Sequence, residues 1–157
     1  MKGNAKVIAV LNEALKEELL AIDQYFLHSE MCENWKYEIL AKYVKKLSIV
    51  EMKHAERLIE RILFLDATPN VTGPKQLKVG NIVKEQIAND LELELSAVEL
   101  YNRAIKVSRE EGDNATAEFL QGILKDEEDH VDWQESQLHL IEEVGYERYL
   151  SMQMGEE

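Results

Sequence analysis

Two short stretches of this sequence place a glutamate and a histidine three residues apart. They are Glu51 with His54 and Glu127 with His130. On an α-helix this spacing puts both side chains on one face, so each stretch can direct a carboxylate and an imidazole at one metal ion. A single Glu-x-x-His pair is a weak signal, because most such pairs lie on exposed helix faces.

The two pairs belong to a longer internal repeat. Another glutamate lies 33 residues before the glutamate of each pair, at Glu18 and at Glu94. Residues 18–25 align with residues 94–101 at an offset of 76, which is also the offset between the two Glu-x-x-His pairs. A two-metal carboxylate bundle requires this set of ligands twice. The repeat therefore predicts a centre for two metal ions.

Four long helices are predicted to position these residues, because apolar residues recur at helical spacing and the motif glutamates interrupt the apolar rows. The first helix is expected to follow an N-cap at Asn4 and to end at Cys32 or Glu33. The expected boundaries of the later helices are a start at Asn34, a cap at Asn81, an end at Gly112, a cap at Asp113 or Asn114, and an end at Gly145. Residues 146–152 are expected to form one or two turns of a fifth helix.

A long loop is predicted between the second and third helices, because residues 66–80 contain both prolines and two glycines. Its 15 residues can extend about 50 Å, whereas a helix of about 28 residues is about 42 Å long. The loop can therefore cross the whole length of a bundle. The predicted fold is an all-α antiparallel four-helix bundle with a long crossover and a short fifth helix at the C-terminus.

Composition agrees with a single domain over residues 1–157. Of the 157 residues, 45% are hydrophobic, which is enough to bury a core. Cys32 is the only cysteine, so no intrachain disulfide can form. We expect Cys32 to pack as a small helix-face residue in a reducing compartment.

The formal net charge of −13 at pH 7 restricts the partners that this chain can bind. Nucleic acids and anionic membranes attract clusters of lysine and arginine, so neither is an expected partner. The first residues lead into a charged segment with neither a signal-peptide core nor a membrane-spanning run, so the cytoplasm is the expected location. The negative charge suits a protein that attracts cations.

Folding the helices together buries four carboxylates and two imidazoles, which is costly unless they are paired. Internal salt bridges do not explain them, because no lysine or arginine shares their helical rows. Two divalent cations balance four carboxylates, and carboxylate with imidazole favours iron or manganese over zinc or calcium. The expected bridging ligands are Glu51 and Glu127. The expected terminal ligands are Glu18 and His54 on one ion and Glu94 and His130 on the other.

The chain resembles the bacterioferritins over nearly its whole length. The matching stretches are Met1-Lys-Gly-Asn, Gln24-Tyr-Phe-Leu-His28, Glu51-Met-Lys-His-Ala55, Ile59-Glu-Arg-Ile-Leu-Phe-Leu65, Asp126-Glu-Glu-Asp-His130 and Tyr149-Leu150. The resemblance implies a ferritin-like fold and a hollow shell of 24 subunits built from two-fold dimers. It also implies oxidation of Fe(II) by O2 or H2O2 at a di-iron site, storage of a ferric mineral, and a ferredoxin-type reductant for iron release.

The same resemblance assigns Met52 as an axial ligand of haem b or a variant haem, shared between two subunits. Successive helix residues point about 100° apart, so Met52 can face a two-fold partner while Glu51 faces the metal ions. Many bacterioferritins carry histidine and aspartate at the positions of Lys46 and Val50, where they form another iron site on the cavity wall. The resemblance does not carry that site to this chain. Lys45 replaces a tyrosine that lies near the haem in the family, and it can pair with a propionate.

Aromatic residues near the motifs are candidates for relaying an electron to the oxidant. Tyr25 lies two turns from Glu18 on the same helical row, and Trp133 lies three residues after His130. Tyr101, the repeat mate of Tyr25, is a third candidate. Packing is the more common role for each of these side chains.

The two remaining histidines, His28 and His139, have no carboxylate at ligand spacing on the helix faces that carry the predicted ligands. We therefore expect them at the surface or at an interface.

Two other functions are compatible with the sequence. One is a non-storage di-iron or di-manganese oxidase or peroxidase, and the other is a haem-binding electron-transfer or structural bundle with incidental glutamates. The doubled ligand set argues against the second, while Met52 and the short fifth helix favour the shell.

Overall fold

The computed structural model describes residues 1–155, which form five helices. They are α1 (Ala5–Asn34), α2 (Glu38–Phe64), α3 (Val83–Glu110), α4 (Asn114–Val144) and α5 (Tyr146–Met152). α1 packs against α2, α3 packs against α4, and α1 also contacts α3. The predicted all-α bundle with a short fifth helix is therefore confirmed. In this part of the chain, no helix combines the length and apolar character needed to cross a bilayer.

Side-chain caps explain two of the helix starts. The Asn4 side chain accepts hydrogen bonds from the backbone N–H groups of Lys6 at 2.8 Å and Val7 at 3.3 Å, as its predicted N-cap role requires. Asp113 caps α4 by accepting from the N–H of Thr116 at 3.0 Å. Both predicted caps are confirmed.

Two predicted boundaries are wrong. Asn34 is the last residue of α1, and α2 begins only at Glu38. The intervening Lys36 has a φ of 70°, a left-handed conformation that interrupts the helix. Asn81 does not cap α3, because the N-cap position is Ile82 and carries no side-chain hydrogen bond.

The core consists of two apolar clusters, one toward each end of the bundle. The first is built from the N-terminal halves of α1 and α4 with the C-terminal halves of α2 and α3. The second occupies the opposite halves and includes residues of α5. Each of the four long helices passes from one cluster to the other, and its motif glutamate lies between them. The bundle therefore places all four carboxylates at the same level along its axis.

The crossover between α2 and α3 runs beside α1 along much of the length of that helix. This agrees with the prediction that the loop can cross the bundle. Its contacts advance along both segments together, and they join Asn70 to Asn12, Lys75 to Asp23, Lys78 to Gln24, and Gly80 to His28. Because the crossover ends beside the C-terminal part of α1, α3 can start there and return along the bundle.

His28 contradicts its predicted surface position, because it is only 1% exposed. The backbone N–H of Gly80 donates to His28 Nε2 at 3.1 Å, so the proton lies on Nδ1, which is 2.9 Å from Asp90 Oδ1. A Cβ on Gly80 would lie 2.4 Å from the backbone nitrogen of Gln86, so only glycine fits this junction. The side chain of His139 is 69% exposed, in agreement with a surface position.

The short fifth helix packs against α4, which it needs because a helix of two turns is not stable in isolation. Gly145 joins it to α4 with a φ of 87°, a conformation that favours glycine. Tyr149 is fully buried and donates to Gln137 Oε1 on α4 at 2.7 Å.

Cys32 of α1 is buried in the second apolar cluster, together with Tyr149. Its thiol donates to Gln86 Oε1 at 3.3 Å.

Candidate metal centre

The six predicted metal ligands lie together in the middle of the bundle. α1 supplies one residue, α3 supplies one, and α2 and α4 each supply a Glu-x-x-His pair. All six are buried, and the most accessible of them, His130, is 7% exposed. These residues are Glu18, Glu51, His54, Glu94, Glu127 and His130.

The cluster divides into two groups that share two carboxylates. In each group the potential ligand atoms all lie within 4.8 Å of one another. One group is Glu18, Glu51, His54 and Glu127, and the other is Glu51, Glu94, Glu127 and His130. Glu51 and Glu127 belong to both groups. This arrangement can hold two adjacent cations with two carboxylates between them.

Each histidine directs Nδ1 into the cluster. His54 Nδ1 lies 3.1 Å from Glu127 Oε1 and 3.5 Å from Glu18 Oε2. His130 Nδ1 lies 3.0 Å from Glu51 Oε1 and 3.2 Å from Glu94 Oε1. Each Nδ1 thus approaches a carboxylate from the other Glu-x-x-His pair.

Most of the unpartnered buried polar atoms belong to this cluster. In residues 1–155, seven buried side-chain nitrogen or oxygen atoms have no hydrogen-bond partner, and six of them are on the predicted ligands. They include both carboxylate oxygens of Glu51 and Nδ1 of His54. An unpaired buried polar atom destabilises a folded protein by about 1 to 3 kcal/mol, so the cluster lowers the stability of the chain unless cations bind to it. The donor set fits two divalent ions that need oxygen and imidazole ligands.

Crowding shifts the protonation of these ligands in the metal-free chain. Burial and the neighbouring Glu51 carboxylate raise the pKa of Glu18, while burial and the charge of Glu18 raise the pKa of Glu127. Burial lowers the pKa of His130, but the nearby carboxylates of Glu51 and Glu94 outweigh it and raise the pKa to about 10. The cluster therefore holds protons that metal ions must displace.

The same balance acts on His54. Burial lowers its pKa, but the nearby carboxylates of Glu127, Glu18 and Glu51 outweigh burial and raise the pKa well above its usual range. No lysine or arginine of residues 1–155 forms an ion pair with any of the six ligands. The positive charge that compensates the four glutamates must come from protons or from metal ions.

Two tyrosines bind Glu94 and Glu18 from opposite sides of the centre. Tyr25 on α1 donates to Glu94 on α3 at 2.5 Å, and Tyr101 on α3 donates to Glu18 on α1 at 2.5 Å. Burial raises the pKa of both phenols, and the neighbouring carboxylates raise it further. Gln134 on α4 donates to the Tyr25 oxygen at 2.6 Å. Tyr25 therefore has a second polar contact, which strengthens its position at the centre.

The predicted haem ligand lies on another face of α2. Met52 is 54% exposed, whereas the preceding Glu51 is fully buried. Lys45 and Lys46 are exposed as well, and Val50 is half-buried. These residues are available to contacts from outside the bundle, and none of them reaches the carboxylate cluster.

Sequence reasoning missed two residues at the centre and one that holds a buried histidine beside the crossover. Asp126 forms a hydrogen bond with His54 Nε2 at 2.8 Å, Gln134 holds Tyr25, and Asp90 holds His28. In the sequence, Asp126 stood out only as part of a stretch that resembles the bacterioferritins, with no role assigned to it, and Gln134 carries no sequence signal. Trp133 stacks on Tyr43, with ring centroids 4.1 Å apart, which agrees with a packing role.

Comparison with known proteins places the chain in a family. The family model of the ferritin-like domain matches residues 8–144. The chain is 42% identical over 149 residues to the bacterioferritin of Mycolicibacterium paratuberculosis, which covers 95% of this chain and 94% of that protein. It is 44% identical over 151 residues to the bacterioferritin of Streptomyces coelicolor, with 96% and 90% coverage. The bacterioferritin of Brucella melitensis is 41% identical, with 95% and 92% coverage. The chain therefore belongs to the ferritin-like family and, within it, to the bacterioferritins.

Proposed function

We propose that this protein stores iron and acts as a ferroxidase. Fe(II) is its substrate, O2 or H2O2 is the oxidant, and the product is a ferric mineral held inside a shell of 24 subunits. Family membership supports the storage function, and the buried carboxylate and histidine cluster supports the oxidation step.

One observation carries this proposal: the two four-residue groups share Glu51 and Glu127. Shared carboxylates keep two Fe(II) ions adjacent, so that two electrons can pass to one oxidant molecule. Two electrons reduce O2 to H2O2 or H2O2 to water. Isolated sites would each supply only one electron.

The roles of the individual ligands follow from their place in the two groups. Glu51 and Glu127 bridge the iron ions. The terminal ligands are Glu18 and His54 at one position, and Glu94 and His130 at the other. Tyr25 contributes as an electron and proton donor when O2 is reduced beyond H2O2, which takes more than the two electrons of the iron pair, and a further Fe(II) then reduces the tyrosyl radical. Its phenol donates to Glu94 and its oxygen is fixed by Gln134.

The proposed haem site lies between two copies of the chain. The exposed Met52 side chain of each member of a two-fold pair would hold the haem through its thioether sulfur, because a symmetric interface brings the same residue from both copies to its axis. Haem b or a variant haem is the expected group. We further propose a cytoplasmic location and a ferredoxin-type reductant that delivers electrons for iron release.

Gel filtration with a visible spectrum, followed by an Fe(II) oxidation assay, tests the proposal. We expect a particle of several hundred kilodaltons, a low-spin haem band, rapid oxidation of two Fe(II) ions per chain, and continued uptake of iron into the particle. Rapid oxidation of two ions by a small oligomer that retains no mineral would identify a non-storage oxidase or peroxidase. Haem without any metal-dependent oxidation would identify an electron-transfer bundle.

A further inference from the structure

The two histidines of the metal centre are held differently on their outer sides. His54 Nε2 lies 2.8 Å from Asp126 Oδ2, while its Nδ1 has no hydrogen-bond partner and faces the carboxylate cluster. His130 also directs Nδ1 into the cluster. Its Nε2, however, forms no hydrogen bond with any residue of the described part of the chain.

The internal repeat shows where this difference originates. The offset of 76 that relates His54 to His130 also relates Val50 to Asp126. Each of these two residues directly precedes a shared glutamate, Glu51 or Glu127. One half of the repeat thus has a carboxylate for the histidine of the opposite half, and the other half has a hydrocarbon that cannot accept a hydrogen bond.

Asp126 has the chemistry needed to orient a metal-binding imidazole. An imidazole that binds a metal ion through Nδ1 must carry its proton on Nε2, and an acceptor at Nε2 stabilises that tautomer. The acceptor also fixes the ring orientation and makes Nδ1 a better electron donor. The Asp126 side chain is 45% exposed and belongs to neither group of potential ligands. It therefore acts on a metal ion only through His54.

We propose that Asp126 is a positioning residue for His54, and that it supports one of the two metal positions and not the other. This inference rests on the ligand assignment made above. The supported position is the group formed by Glu18, Glu51, His54 and Glu127. The group that contains His130 has no equivalent support, because Val50 occupies the corresponding place in the repeat.

Metal titration of the assembled, metal-free protein tests this inference without depending on iron oxidation. Co(II) is the probe, because its visible absorption reports the ligands of each ion, and calorimetry gives the two affinities. The variants are Asp126→Ala, which removes the acceptor, and Asp126→Asn, whose amide oxygen still accepts from Nε2–H. Asp129→Ala on the same helix is the matched control, because it removes an equal charge from an exposed residue outside both ligand groups.

We expect the wild-type chain to bind two Co(II) ions. In Asp126→Ala, the affinity for one ion should fall about 10- to 100-fold while the affinity for the other is unchanged. Asp126→Asn should recover most of that loss, and Asp129→Ala should match the wild type. A general loss of structure would lower the affinity for both ions, and Asp126→Asn would not restore it.

The outcomes separate this inference from the proposed function. If the wild-type chain fails to bind two ions, the ligand assignment and the role of Asp126 both fall. If it binds two ions and Asp126→Ala binds both with wild-type affinity, only the role of Asp126 is overturned. The role of Asp126 is also overturned if Asp126→Ala lowers the affinity for both ions equally. It is overturned as well if the alanine and asparagine variants lose equal affinity.

Discussion

The phenol of Tyr25 on α1 donates to Glu94 on α3, and the repeat reverses this contact, with Tyr101 on α3 donating to Glu18 on α1. Each half of the repeat thus holds the terminal glutamate of the other half. The two contacts differ in one respect. Gln134 donates to the Tyr25 oxygen, whereas its repeat mate is Leu58, which has no polar atom to offer Tyr101.

This asymmetry predicts different effects for two matched variants. Tyr25→Phe and Tyr101→Phe should each destabilise the metal-free protein by about 1 to 3 kcal/mol, because each leaves a buried polar group without its tyrosine partner. That group is the Gln134 amide in Tyr25→Phe and Glu18 Oε1 in Tyr101→Phe. Only Tyr25→Phe should remove a tyrosyl radical signal formed during Fe(II) oxidation. Electron paramagnetic resonance of freeze-quenched samples measures that signal. A radical of equal intensity in Tyr25→Phe would contradict the role of Tyr25 as an electron donor.

Removing a terminal ligand should stop rapid iron oxidation without disrupting the shell. In Glu18→Ala or His54→Ala, the apolar clusters are untouched, so the bundle should still fold and assemble. The initial Fe(II) oxidation rate should fall more than about 100-fold, because loss of a direct ligand exceeds the usual effect of an outer contact. Stopped-flow absorption measures the rate, and Glu30→Ala on the exposed face of α1 is the control. Wild-type rates in both ligand variants would refute the di-iron assignment.

Metal binding should stabilise the protein, and the gain should grow with pH. The folded, metal-free chain holds a proton on His130 with a pKa of about 10, above the ordinary value of 6.5. The stability from this proton is fully present below pH 6.5 and is lost as the pH rises toward the folded pKa. A metal ion replaces the proton, so its binding strengthens over the same range.

Thermal melting with and without Mn(II), from about pH 6 to about pH 8, measures this linkage. We expect the Tm of the metal-free protein to fall across this range and the increase caused by Mn(II) to become larger. Identical melting with and without the ion would show that the cluster does not bind metal in the folded state. A gain that shrinks as the pH rises would contradict the proton displacement.

The haem and iron sites should be separable by one substitution on α2. Met52→Leu keeps the hydrophobic volume but removes the sulfur proposed to bind haem iron. The haem absorption band should disappear while the Fe(II) oxidation rate remains, because Met52 and Glu51 lie on different faces of the helix. Met152→Leu, at an equally exposed methionine, is the control. Full retention of haem in Met52→Leu would exclude Met52 as the axial ligand.

Lys46 and Val50 offer a test of the route by which iron reaches the mineral. In the double variant Lys46→His with Val50→Asp, an imidazole and a carboxylate four residues apart on α2 can hold one additional ion. Mineral growth should then quicken relative to the initial oxidation phase, and iron binding should rise by one ion per chain. Lys46→His alone, which lacks the carboxylate, is the control. Unchanged uptake and no additional ion in the double variant would show that the interior of this protein works by another route.

The sequence by itself determined the helices, the crossover and the six candidate ligands. Helical spacing acts along a single element, so the positions of Glu51 and His54 on one face followed directly from their separation. The 33-residue spacing to Glu51 and Glu127 then indicated Glu18 and Glu94 as further candidate ligands. The boundaries at Asn34 and Asn81 were wrong, because an asparagine side chain is only one of the influences on where a helix starts, and a backbone turn at Lys36 decided the first case.

Only the tertiary structure decided which residues from different helices meet. The contacts of Tyr25 with Glu94, His54 with Asp126, and His28 with Asp90 join residues that are 62 to 72 positions apart in the chain. Such contacts depend on the axial register and rotation of packed helices, which side-chain spacing along one helix does not encode. For the same reason the sequence predicted a surface position for His28. In the structure the crossover covers this residue, and hydrogen bonds with Asp90 and Gly80 satisfy both of its ring nitrogens.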